Sequence, residues 1–219
     1  VIDGYVVEID TEDDADRPLS EVESVVSQVP VLPERTYRLA RRAADRAAGS
    51  ASDVLRLVIP KRQVRVEKAW TSDAPTPVPA DDAVTSASSL IATYDHLEEV
   101  LEGAGRAAVE AIPVQHRGEP GWTALLASTA TRMLAAGRSS ILIVPDHRDL
   151  DLLLAALGSL VPPEAVVRYD SRQTNPDRYR SFLRSLEDAP CIVVGNRSAV
   201  YAPVRAGLVA VWDLSLIHI

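Results

Sequence analysis

The chain has 219 residues, 47% of them apolar and 25% charged, and a formal net charge of −8. That is enough material for one large or two small globular domains, and the acidic balance excludes a protein that coats nucleic acid or membrane with its whole surface. A single cysteine, Cys191, excludes a disulfide framework and a thiolate zinc site within these residues, and no apolar run approaches the ~20 residues needed to span a bilayer.

The chain starts without a methionine, in the β-branched run Val1–Ile9, so its start reads as truncated; Tyr5–Ile9 has the pattern of a strand. Asp10–Pro18 is a polar loop and Ser20–Val29 reads as another strand. Residues 1–32 carry nine acidic side chains against Arg17, whereas residues 33–70 carry ten basic ones against Glu34, Asp45, Asp53 and Glu67. An acidic segment therefore precedes a basic module. Pro33–Ala48 is predicted helical, with Pro33 suited to the first turn and Gly49 ending it. At about 100° per residue, Arg35, Arg38, Arg42 and Arg46 form one stripe, and Ala40, Ala43, Ala44 and Ala47 form the opposite, packing side. The stripe suits phosphate contact and equally suits a solvated face. Asp53–Ile59 follows as an apolar segment, and Pro60–Lys68 alternates charge with valine as an exposed strand does.

Pro75, Pro77 and Pro79, then Asp81-Asp82 and a Ser/Ala run, predict a linker over residues 71–89. Leu90–Ala111 has helical periodicity interrupted by Gly103 and Gly105. From there the pattern alternates: helix Trp122–Ala136 closed by Gly137, strand Ile141–Val144, helix Leu150–Leu160, strand Val166–Tyr169, helix Pro176–Leu186, strand Cys191–Val194 and strand Leu208–Trp212. Short, continuously apolar strands between amphipathic helices predict a parallel sheet with helices on both faces, a doubly wound α/β lobe.

Such a lobe invites a nucleotide at the carboxyl ends of its strands, and a phosphate loop needs a lysine to reach the phosphates. The two lysines of the chain, Lys61 and Lys68, both precede the lobe. Val114–Trp122, ahead of the first lobe helix, keeps Gly118 and Gly121 and lacks the rest. Asp146, His147 and Asp149 could form a metal or acid/base cluster, or Asp146 could cap the following helix. Cys191, between Pro190 and Ile192, reads as a buried small hydrophobe rather than a nucleophile. Asn196-Arg197-Ser198, after a strand ending in Gly195, offers charge-assisted and N–H hydrogen bonds to a phosphodiester, or is a plain strand-to-helix turn.

Asp3-Gly4-Tyr5-Val6, Val58-Ile59-Pro60-Lys61-Arg62, Ala136-Gly137-Arg138, Ile143-Val144-Pro145-Asp146, Asp177-Arg178-Tyr179-Arg180 and Gly195-Asn196-Arg197-Ser198-Ala199 with Tyr201-Ala202-Pro203 occur in that order. In these elements the chain resembles the primosomal protein N′ family, the PriA-type replication-restart proteins, in its divergent actinobacterial branch. The resemblance implies three parts: residues 1–70 as the carboxyl part of a small, truncated α+β three-prime DNA-binding domain, residues 71–89 as linker, and residues 90–213 as a partial RecA-like helicase lobe. Leu214–Ile219 departs from the pattern and reads as a non-native tail.

The family is an ATP-dependent DNA helicase using ATP and magnesium, with zinc held by cysteines that would lie beyond residue 219. Here its Walker A lysine is missing, and Trp212-Asp213 stands where the family has Asp-Glu, so that Trp212 replaces the magnesium-ordering aspartate. A nucleotide site reduced to Gly118, Gly121, Trp212 and Asp213 is expected to be degenerate, without ATP hydrolysis, and no catalytic residue, cofactor or metal is expected within the chain. The expected function is DNA binding in replication restart and primosome assembly at forks or single-strand/double-strand junctions, in the cytoplasm at the nucleoid and without a membrane partner. The expected contacts are Arg35, Arg38, Arg42 and Arg46, with Lys61, Arg62 and Arg65 beside them, and Asn196, Arg197 and Ser198. The rivals are an active ATP-dependent 3′-5′ helicase and a primosome scaffold that does not touch DNA.

Overall fold

Pro33, with φ near the helical value, opens helix α1 (Glu34–Arg46). Glu34 in its first turn and Arg46 in its last complement the helix dipole. Its buried residues are Thr36, Ala40 and Ala44, spaced by four so that one face of small side chains lets α2 (Ala51–Val58) approach closely with Leu55 and Val58. Gly49 closes α1 as expected, its N–H donating to Ala44 O at 2.9 Å, but the left-handed residue is Ala48, at φ 51°. Ser50 then caps α2 by accepting from Asp53 N–H.

The computed structural model describes residues 4–7, 21–71, 75–103, 105–111 and 121–212, and the chain divides into two compact units, Val1–Ile59 and Pro60–Ile219. The described part of the first unit contains α1 and α2 and no strand. The strands expected at Tyr5–Ile9 and Ser20–Val29 are therefore not found over residues 4–7 and 21–29, where Val22, Val25 and Val26 are exposed. A β-branched run becomes a strand only when a neighbouring strand takes up its backbone groups, and among the described residues of this unit there is no strand.

The second unit starts with a further departure. Pro60–Lys68 is not an exposed strand: Val64–Ala69 is helix α3. Helical spacing lets Glu67 accept Arg62 Nε at 3.0 Å and Arg62 Nη2 at 2.6 Å, as well as the Tyr179 hydroxyl. Trp70, just past α3, donates its indole N–H to Glu187 at 2.7 Å. These polar anchors outweigh a weak β alternation.

Nor do residues 71–89 form a linker throughout. Pro77 and Pro79 are buried, and Asp81–Ile91 is helix α4, whose Ala83, Ala87 and Ile91 are buried in packing on α6. The boundary between units falls after Ile59 instead. Prolines mark a boundary only where nothing packs on them, and alanines at four-residue spacing supply a helix face that does pack. Helix α5 (Leu97–Glu102) adds Leu97 and Leu101 to the same cluster as Ile91, Leu125 and Met133.

The α/β pattern itself is realised. Helix α6 (Trp122–Ala135) is closed at Gly137, φ 69°, with Arg138 N–H on Met133 O at 2.9 Å. β1 (Ser139–Ile143), α7 (His147–Gly158), β2 (Val166–Tyr169), α8 (Asn175–Leu186), β3 (Ile192–Gly195), a 3₁₀ turn (Arg197–Tyr201) and β4 (Ala206–Val211) follow. The four strands are all parallel, in the order β2-β3-β1-β4, with Ile141 level with Val193 and Val209. Leu142, Val144, Ile192 and Val194 pack on one face with Trp122, Ala127, Leu150, Leu153 and Leu157 from α6 and α7. Ile141, Ile143, Val167 and Val193 pack on the other with Ala199, Ala202 and Val204 of the 3₁₀ turn and the residues after it. On that side α8 is joined to β2 through the hydroxyls of Tyr169 and Ser185, 2.7 Å apart. Among the described residues no helix is long and apolar enough to cross a membrane.

Gly195 ends β3 where a Cβ would lie 2.1 Å from Tyr169 O. Gly195→Ala is expected to destabilise the chain by roughly 3 kcal/mol, read as a shifted midpoint in urea; an unmoved midpoint would contradict this close approach. Ala48→Gly relieves a left-handed alanine and is expected to stabilise the first unit by about 1 kcal/mol, measured by hydrogen exchange of the α1 amides, which should slow rather than quicken.

Candidate nucleic-acid interface and the rim of the sheet

In the first unit, Arg35, Arg38, Arg42 and Arg46 are all exposed, on the side of α1 opposite the buried Thr36, Ala40 and Ala44. Burial of the small face leaves the guanidinium row outward. Arg38 pairs with Glu34, Arg41 with Asp45 at 3.0 Å and Arg56 with Asp53 at 3.6 Å. These are solvent-exposed pairs one turn apart, too weak to withhold an arginine from a phosphate. Among the described residues Arg42 and Arg46 have no ion pair within 4 Å.

Lys61, Arg62 and Arg65 belong to the second unit, not to the one that carries the row. Lys61 and Arg65 are exposed. Arg62 is committed internally: its hydrogen bonds to Glu67, whose side chain is only 9% exposed, raise its pKa further. It holds α3 in place and is removed from the set of free cations.

At the carboxyl ends of the strands, Asn196 is also committed, its side-chain amide donating to Val144 O at 3.1 Å and tying the end of β3 to the end of β1. Arg197 and Ser198 remain exposed at the start of the 3₁₀ turn. Asp146 caps α7, accepting the N–H groups of Arg148 and Asp149 at 2.8 and 2.9 Å, which is the capping alternative for the Asp146, His147, Asp149 group. Burial, followed by the charge of Asp146, raises the pKa of Asp149. Among the described residues no set of His, Cys, Asp and Glu side chains is arranged to hold a metal ion. Cys191 is buried and its thiol is pushed up to about 11 by burial, as suits a packing residue rather than a nucleophile.

Of the residues assigned to a degenerate nucleotide site, Gly118 and Asp213 lie outside the described residues. Gly121 is the buried cap of α6 and Trp212 follows β4. The Trp212 ring stacks on Trp122, the first residue of α6, with centroids 4.7 Å apart and planes within 4°. The partner of Trp212 was not foreseen from sequence; the signal was a bulky aromatic directly after Gly121, at a helix start.

Residues 1–60 match the PriA 3′DNA-binding domain family (3′BD). Over 214 residues, 97% of its length, the chain is 36% identical to the "Probable replication restart protein PriA" of Mycobacterium tuberculosis, of which it covers 32%. It is 34% identical over 219 residues to the protein of that name in Mycobacterium leprae, of which it covers 33%. The chain is PriA-like throughout. It spans about a third of the length of these relatives, and the domain match, to residue 60, ends one residue past the first compact unit, which closes at Ile59. The exposed row of α1 thus lies within the residues that match the 3′DNA-binding domain, whereas Lys61, Arg62 and Arg65 lie just past them.

One polar cluster of this PriA-like chain was not anticipated. Beyond β2, Asp170 is buried to 0% side-chain exposure, and it accepts Arg168 Nη2 at 2.7 Å and the backbone N–H of Arg172 at 2.7 Å. Arg172 reaches on to Asp151 of α7 at 2.7 and 3.0 Å. Burial alone would raise the Asp170 pKa; the Arg168 hydrogen bond, the Arg172 N–H and both guanidinium charges outweigh it, and the pKa is lowered. A carboxyl held below its ordinary value of about 3.9 contributes stability that is present above that pH and lost as pH falls through the folded value. Asp170→Asn should therefore lower stability at neutral pH by roughly 1–3 kcal/mol, with the gap to the parent closing below about pH 4 in a series of thermal melts; a gap independent of pH would show that the charge plays no part.

Proposed function

We propose that this chain is the DNA-holding part of a replication restart protein: a 3′DNA-binding domain that grips the phosphates of forked or junction DNA, followed by a RecA-like lobe that does not hydrolyse ATP. The observation that carries the reading is the exposed arginine row of α1 inside the residues that match the 3′DNA-binding domain. Arginine on one helix face, backed by buried alanines, is a contact to backbone phosphates rather than to base edges. Arg197 and Ser198 offer a second phosphate contact from the lobe, through one guanidinium and one hydroxyl.

The absence of hydrolysis rests on chemistry. Phosphoryl transfer requires neutralisation of charge on the transferred group, by a lysine and a metal ion held by an acidic side chain. The residues present do not fit a magnesium-nucleotide: the lobe has no lysine, and the stretch after β4 begins with an indole. The role in primosome assembly, with partner proteins at the fork, and a place at the nucleoid follow from the same reading. The forked-DNA role is favoured over a DNA-free scaffold because Arg42 and Arg46 are exposed and, among the described residues, not drawn into ion pairs.

Affinity of the full chain for forked DNA should fall linearly in log–log form with salt. Arg42→Glu with Arg46→Glu should weaken it by tenfold or more and flatten the salt slope by about two units, one for each phosphate contact removed. An unchanged slope would take α1 out of the interface. Phosphate release from ATP in the presence of that DNA should stay at background; DNA-stimulated release would put the helicase reading first.

A further inference from the structure

The end of α6 that faces the carboxyl edge of the sheet is the place where α/β lobes receive phosphate, because the first N–H groups of the helix are unpaired there and the dipole favours negative charge. Gly121-Trp122-Thr123 has the form of the last three positions of a phosphate loop, Gly-Lys-Ser/Thr, with an indole where the ammonium would reach the phosphates. The change is more than a lost charge. A lysine there would extend to the ligand, whereas Trp122 is turned into the core, 4% exposed, among residues that include Ala127 and Leu150.

The second tryptophan comes from the other side of the same place. Trp212 follows β4, and its backbone N–H donates to Ile143 O at 2.9 Å, which fixes it at the carboxyl end of β1. Its ring lies on Trp122 at 4.7 Å with an interplanar angle of 4°, an arrangement within the favourable range for an aromatic pair. The chain contains three tryptophans, and two that are ninety positions apart in sequence meet face to face where phosphates and a metal ion would be held. Loss of one binding residue by drift would leave a hole or an unpaired charge. Here two aromatic surfaces stack on each other, and the Trp212 indole N–H is buried without a hydrogen-bond partner among the described residues.

We infer that the Trp122–Trp212 stack occupies the phosphate position itself and ties the start of α6 to the end of β4, the connection that a bound nucleotide would otherwise make. The inference rests on the reading of the lobe as one that does not hydrolyse ATP, and extends it: the lobe is closed by its own side chains and its state is independent of nucleotide. A magnesium-triphosphate could enter only by parting the rings and placing its charge against the buried Trp122 and the half-buried Trp212, with no lysine of the lobe's own to receive it.

The test is the exciton couplet that two stacked indoles give in far-ultraviolet circular dichroism, recorded on the full chain with and without millimolar magnesium-ATP, beside calorimetric titration of the same nucleotide. Expected are a couplet in the parent chain, its loss in Trp122→Phe and in Trp212→Phe, its retention in Trp70→Phe even though that variant loses the hydrogen bond to Glu187 and falls in Tm, and no response to nucleotide. A parent chain without the couplet, together with no nucleotide binding, overturns the stack and leaves the non-hydrolysing reading standing. Nucleotide binding that abolishes the couplet overturns both, since the pair would then be a gate. Binding with the couplet unchanged overturns the placement of the stack at the phosphate position. The parent measurement needs no variant to fold.

Discussion

Strands β1 and β3 are covered on both faces, and that constraint organises the larger unit. Ile141, Leu142, Ile143 and Val144 alternate between two separate apolar clusters, as do Ile192, Val193 and Val194. With no solvent face, their polar backbone groups must be paired within the sheet, so every irregularity is displaced to the strand ends. Gly195 is one result, since the chain must turn against Tyr169 O. The Asn196 amide on Val144 O is another, because the carbonyl just past β1 has run out of ladder partners. An asparagine that sequence alone places among ligand contacts is thereby used to finish the sheet, while Arg197 and Ser198, one step further on, are left to solvent.

Elements whose own periodicity matches their surroundings were legible in the sequence. β2 matches the expected Val166–Tyr169, α6 and α8 match within a residue, and α1 is found with its arginines out and its alanines in. What could not be read depended on partners distant in sequence. Residues 60–69 alternate like a strand, but Glu67 finds Tyr179 more than a hundred positions away, and that pairing needs helical geometry. Pro75–Pro79 has the composition of a linker, yet Pro77 and Pro79 are buried and the alanines beyond them pack on α6. Composition measures what a segment tolerates, whereas packing decides what it does.

The same distinction sorts the charged residues. Isolated on a sequence, Arg62 and Arg42 are equivalent basic side chains in one module. In the structure Arg62 is bound to a nearly buried glutamate and stabilises α3, whereas Arg42 faces solvent with the rest of its row. Asp170, held by Arg168 and Arg172 with Arg172 passing on to Asp151, is likewise structural, linking the loop after β2 to α7. Cations that serve the fold are those with a carboxylate buried beside them; among the described residues Arg38 of the α1 row pairs with an exposed carboxylate of its own helix, Glu34, which competes weakly with a polyanion.

The tryptophan pair unites these arguments. Removing a lysine from a phosphate loop and an acid from a strand end lowers the local charge, but it leaves the carboxyl edge of the sheet with unpaired helix N–H groups and a space shaped for a ligand, which is a cost to the apo lobe. Two indoles remove the space with apolar surface and an aromatic contact worth about 1 kcal/mol beyond the area they bury. A lobe that depends on nucleotide for that contact changes shape as ligand comes and goes. One that supplies the contact from Trp122 and Trp212 joins the start of α6, the end of β4 and the end of β1 with the chain's own groups, through the ring stack and the Trp212 N–H on Ile143 O.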